Sequence, residues 1–155
     1  MKTLILYATK NGASREIAER IARKMEVAVL HDLKQENIPN LFDFDRIVIG
    51  SSVYVGMFRK EAKSFLSQNA SALKGKTFGL FISGMQGEEA KTHFETNVPA
   101  DVLKEAKTAM FLGGIFDPKK AGVMARFIMK VVAKKAEYED SIDNDKIDQF
   151  VKSMS

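Results

Sequence analysis

Five short apolar runs recur along the chain: Thr3 to Ala8, Glu26 to His31, Arg46 to Gly50, Thr77 to Ile82 and Thr108 to Ile115, all rich in Val, Ile, Leu or Phe. Runs of this length without polar alternation read as strands buried on both faces. Between them the spacing becomes helical. Ser14 to Met25 sets Ile17, Ile21 and Met25 on one face, Arg59 to Asn69 does the same with Ala62, Phe65 and Leu66, and Glu88 to Lys107 is a helix interrupted at Pro99. Strands alternating with helices over connections of this length predict an α/β fold, a parallel sheet covered by helices on both faces. The second connection, Lys34 to Asp45, is predicted as a loop or short helix around Pro39. After the fifth strand a basic block (Lys119, Lys120, Arg126, Lys130, Lys134, Lys135) precedes an acidic one (Glu137, Glu139, Asp140, Asp143, Asp145, Asp148). Both blocks are expected to be helical.

No repeat, linker or low-complexity tract divides the 155 residues, so residues 1–155 are expected to form a single domain. The chain has no cysteine, which excludes disulfides, thiolate metal sites and thiol redox chemistry; any redox role needs a bound cofactor. The opening apolar run is too short for a signal peptide, and Lys130 interrupts the longest apolar stretch well below the roughly 20 residues a spanning helix needs. A soluble, cytoplasmic protein is expected. A net charge of +4 favours acidic partners without naming one, and nothing in the sequence calls for nucleic acid.

The most informative loop is Thr9-Lys10-Asn11-Gly12-Ala13-Ser14, where a strand runs through a polar turn into a helix. Free N–H groups and the helix dipole point at an incoming anion there. Asn11-Gly12 gives access to positive φ, Thr9 and Ser14 add hydroxyls, and Lys10 and Arg15 add charge. Ser14 is also the expected N-cap. Neither a Walker pattern nor Gly-x-Gly-x-x-Gly is present, which argues against triphosphate hydrolysis. Taken alone, the loop suits an anion and a simple capped turn equally well.

An N-terminal strand followed by Thr-x-x-Gly-x-Ser opening a helix resembles the FMN phosphate loop of the flavodoxins. Within that superfamily, Met1 to Leu6 and Ser14 to Ala18, with basic residues at Lys10 and Arg15, look most like the flavodoxin-type menaquinone-dependent protoporphyrinogen dehydrogenases. Val48-Ile49-Gly50-Ser51-Ser52-Val53 with Gly56 downstream, Gly113 at the end of the last strand, and Arg126 to Lys130 extend the likeness over nearly the whole chain. Two features depart from it: a shorter segment between the fourth and fifth strands, and an aromatic at Tyr54 where one is expected near position 55. The resemblance implies a flavodoxin-like three-layer sandwich with strand order 2-1-3-4-5, FMN as cofactor, and a small-molecule or quinone redox partner.

With that order, the loops after Gly50 and Ile82 meet the ligand. Ser51, Ser52, Val53, Tyr54, Val55 and Gly56 offer hydroxyls, an aromatic and a glycine; Ser83, Gly84, Met85, Gln86 and Gly87 offer backbone and a soft apolar side chain. Tyr54, Met57 and Met85 are the candidate walls for a flat flavin ring, and Gly56 could bring backbone to flavin N5. The flavin carries the chemistry, so no catalytic side chain is assigned. His31 and His93 lack a nucleophile motif and read as surface or strand-end residues, and the carboxylates show no metal spacing. Segment 119–135 sets Met129 and Val132 beside positive charge, which suits peripheral contact with a quinone-bearing membrane as well as internal packing. Three functions follow: an FMN oxidoreductase, with protoporphyrinogen IX as the specific substrate expectation; a non-catalytic electron carrier; and a module that has lost FMN.

Overall fold

The computed structural model describes residues 1–85, 87, 89–116 and 139–155. Its strands are β1 (Lys2–Ala8), β2 (Val27–Asp32), β3 (Arg46–Tyr54), β4 (Met57–Phe58), β5 (Thr77–Ser83), β6 (Thr108–Phe111), β7 (Ile115–Phe116) and β8 (Glu139–Asp140). The helices are α1 (Ala13–Ala22), α2 (Lys60–Gln68), α3 (Ala70–Leu73), α4 (Ala90–Asn97), α5 (Ala100–Glu105) and α6 (Asn144–Ser153). A 3-10 turn at Leu41–Asp43 is the short helix of the second connection, capped by Asn40, whose side chain accepts from the Phe42 amide at 3.0 Å.

The parallel strands run in the order β2-β1-β3-β5-β6, with the two-residue β4 folded back antiparallel on the end of β3. With β4 set aside, this is the expected doubly wound order, and the reversal of winding falls between β1 and β3. Successive side chains of one strand point to opposite faces, so each strand feeds two cores. Leu4, Leu6, Ile47, Ile49, Leu80 and Ile82 pack with Ala62, Phe65 and Leu66 of α2, Phe94 of α4 and Val102 of α5. Ile5, Tyr7, Val48 and Phe81 pack on the opposite face with Ile17, Ala18 and Ile21 of α1 and Ile147 and Phe150 of α6. Phe150 meets Phe81 edge to face at 6.2 Å between centroids.

Two expectations near the end of the chain are corrected. The fifth parallel strand stops at Phe111, because Leu112-Gly113-Gly114 turns out of the sheet through Gly113 at φ 95, and Ile115–Phe116 pairs with Glu139–Asp140 instead. Glu139 and Asp140 are therefore strand residues, and the last helix starts only at Asn144, where the Asp143 side chain accepts from the Lys146 amide at 3.1 Å. The basic segment 119–135, with Arg126 and Lys130, lies outside the described residues.

Candidate functional site

Three loops leave the sheet at one level. The parallel register sets Tyr7 beside Gly50, Ala8 beside Ser51 and Ser52 beside Ser83, so the carboxyl ends of β1, β3 and β5 converge at the point where the winding reverses.

In the first loop the turn is closed by Gly12, at φ 94, whose amide donates to Thr9 Oγ1 at 2.8 Å. A side chain in that conformation costs about 1–2 kcal/mol, which is the reason for glycine. Gly12 is itself the N-cap of α1, and no side chain caps the helix. The expected Ser14 cap is thus corrected: Ser14 lies inside the first turn, fully buried, with its Oγ 2.7 Å from Ser83 Oγ and 3.2 Å from Ser52 Oγ. The Lys10 amide adds a 3.4 Å contact to Ser52 Oγ. Ser14 Oγ thus meets one hydroxyl from β3 and one from β5, and since each of the three carries one hydrogen, the two contacts leave a hydrogen over. The first-turn N–H groups of α1 have no intrahelical partners, and the helix dipole, these uncapped amides and the charge of Lys10 favour an anion at this turn; Arg15 nearby is ion-paired with Glu19 at 3.2 Å.

The second segment corrects the expectation of a loop directly after Gly50. Ser51 to Tyr54 continue β3, with Val53 opposite Phe58 and Tyr54 opposite Met57. Val55 and Gly56 form the turn at φ 50 and 74, the doubly left-handed geometry that suits the twist of a two-residue hairpin. Ser51 Oγ donates to the Ser52 carbonyl at 2.9 Å and accepts from the Arg59 amide at 3.0 Å, tying β3 to the start of α2. Val53 is half-buried, while Tyr54, Val55 and Met57 stand exposed, Val55 by 82%. The Lys10 ammonium lies 4.8 Å from the Tyr54 ring centroid, so the hairpin and the first loop adjoin.

In the third loop the Gly84 amide donates to the Gly113 carbonyl at 3.0 Å, and a Cβ on Gly84 would stand 3.6 Å from the Val53 carbonyl. Met85 is exposed, facing solvent as Tyr54 and Met57 do, and Gly87 packs its backbone against the Phe111 ring. Gln86 lies outside the described residues.

Burial, with the Asp32 charge, raises the Tyr7 hydroxyl above its ordinary 10.0, while Arg15 pulls the other way. His31 lies near the end of β2, as expected, with its Nε2 3.2 Å from the Gln35 carbonyl, whereas His93 departs from the expected surface or strand-end role, half-buried in α4 with its ring beside Gly56. Sequence reasoning missed His93, Arg59 and above all Asn97, whose buried amide grips the hairpin at Gly56 and Phe58. An Asn before Val-Pro reads only as a helix end, and no local pattern announces a contact with a distant turn. Among the described residues no group of His, Asp and Glu could hold a metal ion, and no helix is long and apolar enough to cross a membrane.

The protoporphyrinogen IX dehydrogenase [quinone] of Escherichia coli strain K12 is 34% identical over 80 residues, a match covering 47% of this chain and 42% of that protein. The Leishmania major protein of the same name is 27% identical over 145 residues, covering 84% of this chain and 63% of its own length. The chain thus spans less than two thirds of the curated relatives it matches. Among solved structures, a short-chain flavodoxin associated with a PDU bacterial microcompartment superposes with a TM-score of 0.62 at 18% identity, covering 100% of this chain and 99% of that one. A Fusobacterium nucleatum flavodoxin bound to flavin mononucleotide gives 0.53 at 18% identity, covering 70% and 68%. These two likenesses speak for the fold. The flavodoxin-domain family pattern runs from residue 4 to residue 143, through both the anion loop and the hairpin, and the chain belongs to that family.

Proposed function

We propose that the chain holds FMN where β1, β3 and β5 end, and that it is an FMN-dependent oxidoreductase passing electrons from a small reduced substrate to a quinone or related acceptor. The single observation that carries this reading is the contact of Ser14 Oγ, in the first turn of α1, with Ser52 Oγ of β3 and Ser83 Oγ of β5, beside the uncapped start of α1. The residues present fit the cofactor. A phosphate suits the Thr9 to Ser14 turn, with its N–H groups and the charge of Lys10. A flat ring suits the exposed faces of Tyr54, Met57 and Met85, and the open loop at Gly84 leaves backbone for a polar ring edge. Bound there, FMN supplies the electron transfer that this cysteine-free chain lacks.

The chain's own part is positional. Gly12 and α1 fix the anionic end, and the serine contacts keep the three loops at one level. Tyr54, Met57 and Met85 would hold the flat faces of the ring away from water, and Gly56 would offer backbone to its polar edge. Protoporphyrinogen IX as substrate and a quinone as acceptor are supported by the names of the partial-length relatives, and on that reading the process served is haem biosynthesis. Anaerobic turnover of protoporphyrinogen IX with a menaquinone analogue tests this: porphyrin fluorescence should appear in step with quinone reduction, and a flavin-loaded protein that leaves both unchanged would overturn the assignment.

A second reading, the non-catalytic electron carrier, is favoured by the apolar rim of Tyr54, Val55, Met57 and Met85, which suits a redox partner protein. Flavin reduction by a reductase without porphyrinogen turnover would identify it. The basic segment 119–135 is proposed to bring the protein to an anionic membrane surface. Sedimentation with anionic vesicles should then weaken on charge reversal at Lys130 and Lys134.

A further inference from the structure

The structure assigns to Asn97 the role of a positioning residue: it holds the Tyr54–Met57 hairpin in one strained backbone state, and so sets the wall this chain offers to the flavin ring. The inference rests on the FMN reading above. Asn97 is the last residue of α4 and only 5% exposed. Its Nδ2 donates to the Gly56 carbonyl at 2.8 Å and to the His93 carbonyl at 2.8 Å, and its Oδ1 accepts from the Phe58 amide at 3.0 Å. Both amide hydrogens and the carbonyl oxygen are engaged, and two of the three partners, Gly56 and Phe58, flank Met57 where the chain leaves the turn.

The hairpin needs such a grip. Val55 is β-branched yet sits at φ 50, where a side chain costs about 1–2 kcal/mol, and it is exposed, so nothing packs it into that conformation. Relaxing Val55 would rotate the neighbouring peptides, and the Gly56 carbonyl would have to leave Asn97. Because a trans peptide is planar, anchoring that carbonyl also fixes the Met57 N–H, which lies in the same plane and points the opposite way. One buried side chain thereby sets the direction of the backbone polar groups at the turn. The His93 ring lies beside the same spot, where a Cβ on Gly56 would be in ordinary contact with it at 3.6 Å from its Nδ1. The hairpin adjoins the anion loop through Lys10 and Tyr54, so what Asn97 fixes is part of the candidate cofactor wall.

Asn97→Asp separates grip from packing: the carboxylate can still accept from Phe58 but has no hydrogen for Gly56 or His93. Two arms test the role. In the flavin-free protein, amide exchange at Phe58 and Met57 should quicken by about tenfold in Asn97→Ala, and at Met57 more than at Phe58 in Asn97→Asp. In the loaded protein both variants should shift the flavin midpoint potential and weaken FMN and riboflavin by the same factor, about tenfold, because the ring wall rather than the phosphate seat has changed. Adding Val55→Gly removes the strain, and the double variant with Asn97→Ala should recover a substantial part of the lost affinity. Unchanged exchange in the hairpin, or an unchanged potential and affinity in a folded Asn97→Asp protein, would overturn the assignment. If Asn97→Ala does not fold, Asn97→Asp decides. A wild-type chain that takes up no flavin would sink the FMN reading instead, while the exchange arm still tests the grip.

Discussion

Ser14, Ser52 and Ser83 belong to three separate elements, α1, β3 and β5, yet Ser14 Oγ stands within bonding distance of both other hydroxyls. Tyr7, at the head of the same loop, is the residue whose titration bears on stability. Burial first, then Asp32, keep its hydroxyl protonated above the ordinary 10.0, with Arg15 partly opposing. The folded state binds that proton more tightly than the unfolded chain, so its contribution is complete below pH ~10 and is lost as pH rises through the raised folded value. Tyr7→Phe has no proton to lose. Thermal unfolding followed from about pH 9 to about pH 11 should therefore favour the variant increasingly over wild type; parallel profiles would contradict the shift. At this scale the sequence was partly legible. Gly12 could be recognised because a positive φ leaves a compositional mark. Ser14 looked like a helix cap because a hydroxyl before a helical pattern carries no sign of whether it points at its own amides or across the sheet. Asn97 left no mark, since its partners at Gly56 and Phe58 are brought near only by the tertiary fold.

Among the elements, the β3–β4 hairpin departs most from local preference. A two-residue turn with both residues left-handed favours Asn-Gly, and this chain has Val55-Gly56. Val55→Asn should stabilise the protein by about 1 kcal/mol, a rise in the thermal midpoint of roughly 2–4 °C, with the fold unchanged. A fall in the midpoint would mean that the exposed valine contributes packing not evident from its 82% exposure. β1, β3 and β5 were legible because burial on both faces leaves continuous apolar runs, and the main helices because one face must meet the sheet; β2 and β6, at the sheet edges, are not buried on both faces as their apolar runs suggested. Strand ends were not. β3 outruns its apolar stretch because Val53 and Tyr54 find partners in Phe58 and Met57, and β6 stops early because Gly113 turns the chain away. Glu139 and Asp140 read as part of a charged helix, but pairing with Ile115 and Phe116 decides their conformation, and sequence periodicity does not register a contact of that kind.

For the molecule as a whole, strand order does most of the functional placement. With β1 and β3 adjacent and β2 and β5 on their outer sides, the first and third connections leave the sheet in opposite directions and open a crevice at the carboxyl ends. Two separate cores, one under α2, α4 and α5 and one under α1 and α6, hold the sheet rigid beneath it. The net charge of +4 makes association with an anionic cofactor or surface favourable without choosing between them. Seating of FMN in this crevice through the turn at Gly12 is read out by titrating flavin-free protein with FMN and following the quenching of flavin fluorescence. Saturable binding is predicted, weakened about tenfold in Gly12→Ala, where a side chain must adopt φ 94, and weakened less for riboflavin, which lacks the phosphate. A folded wild-type protein that leaves the fluorescence and colour of FMN unchanged at concentrations on the order of 100 μM would contradict the account.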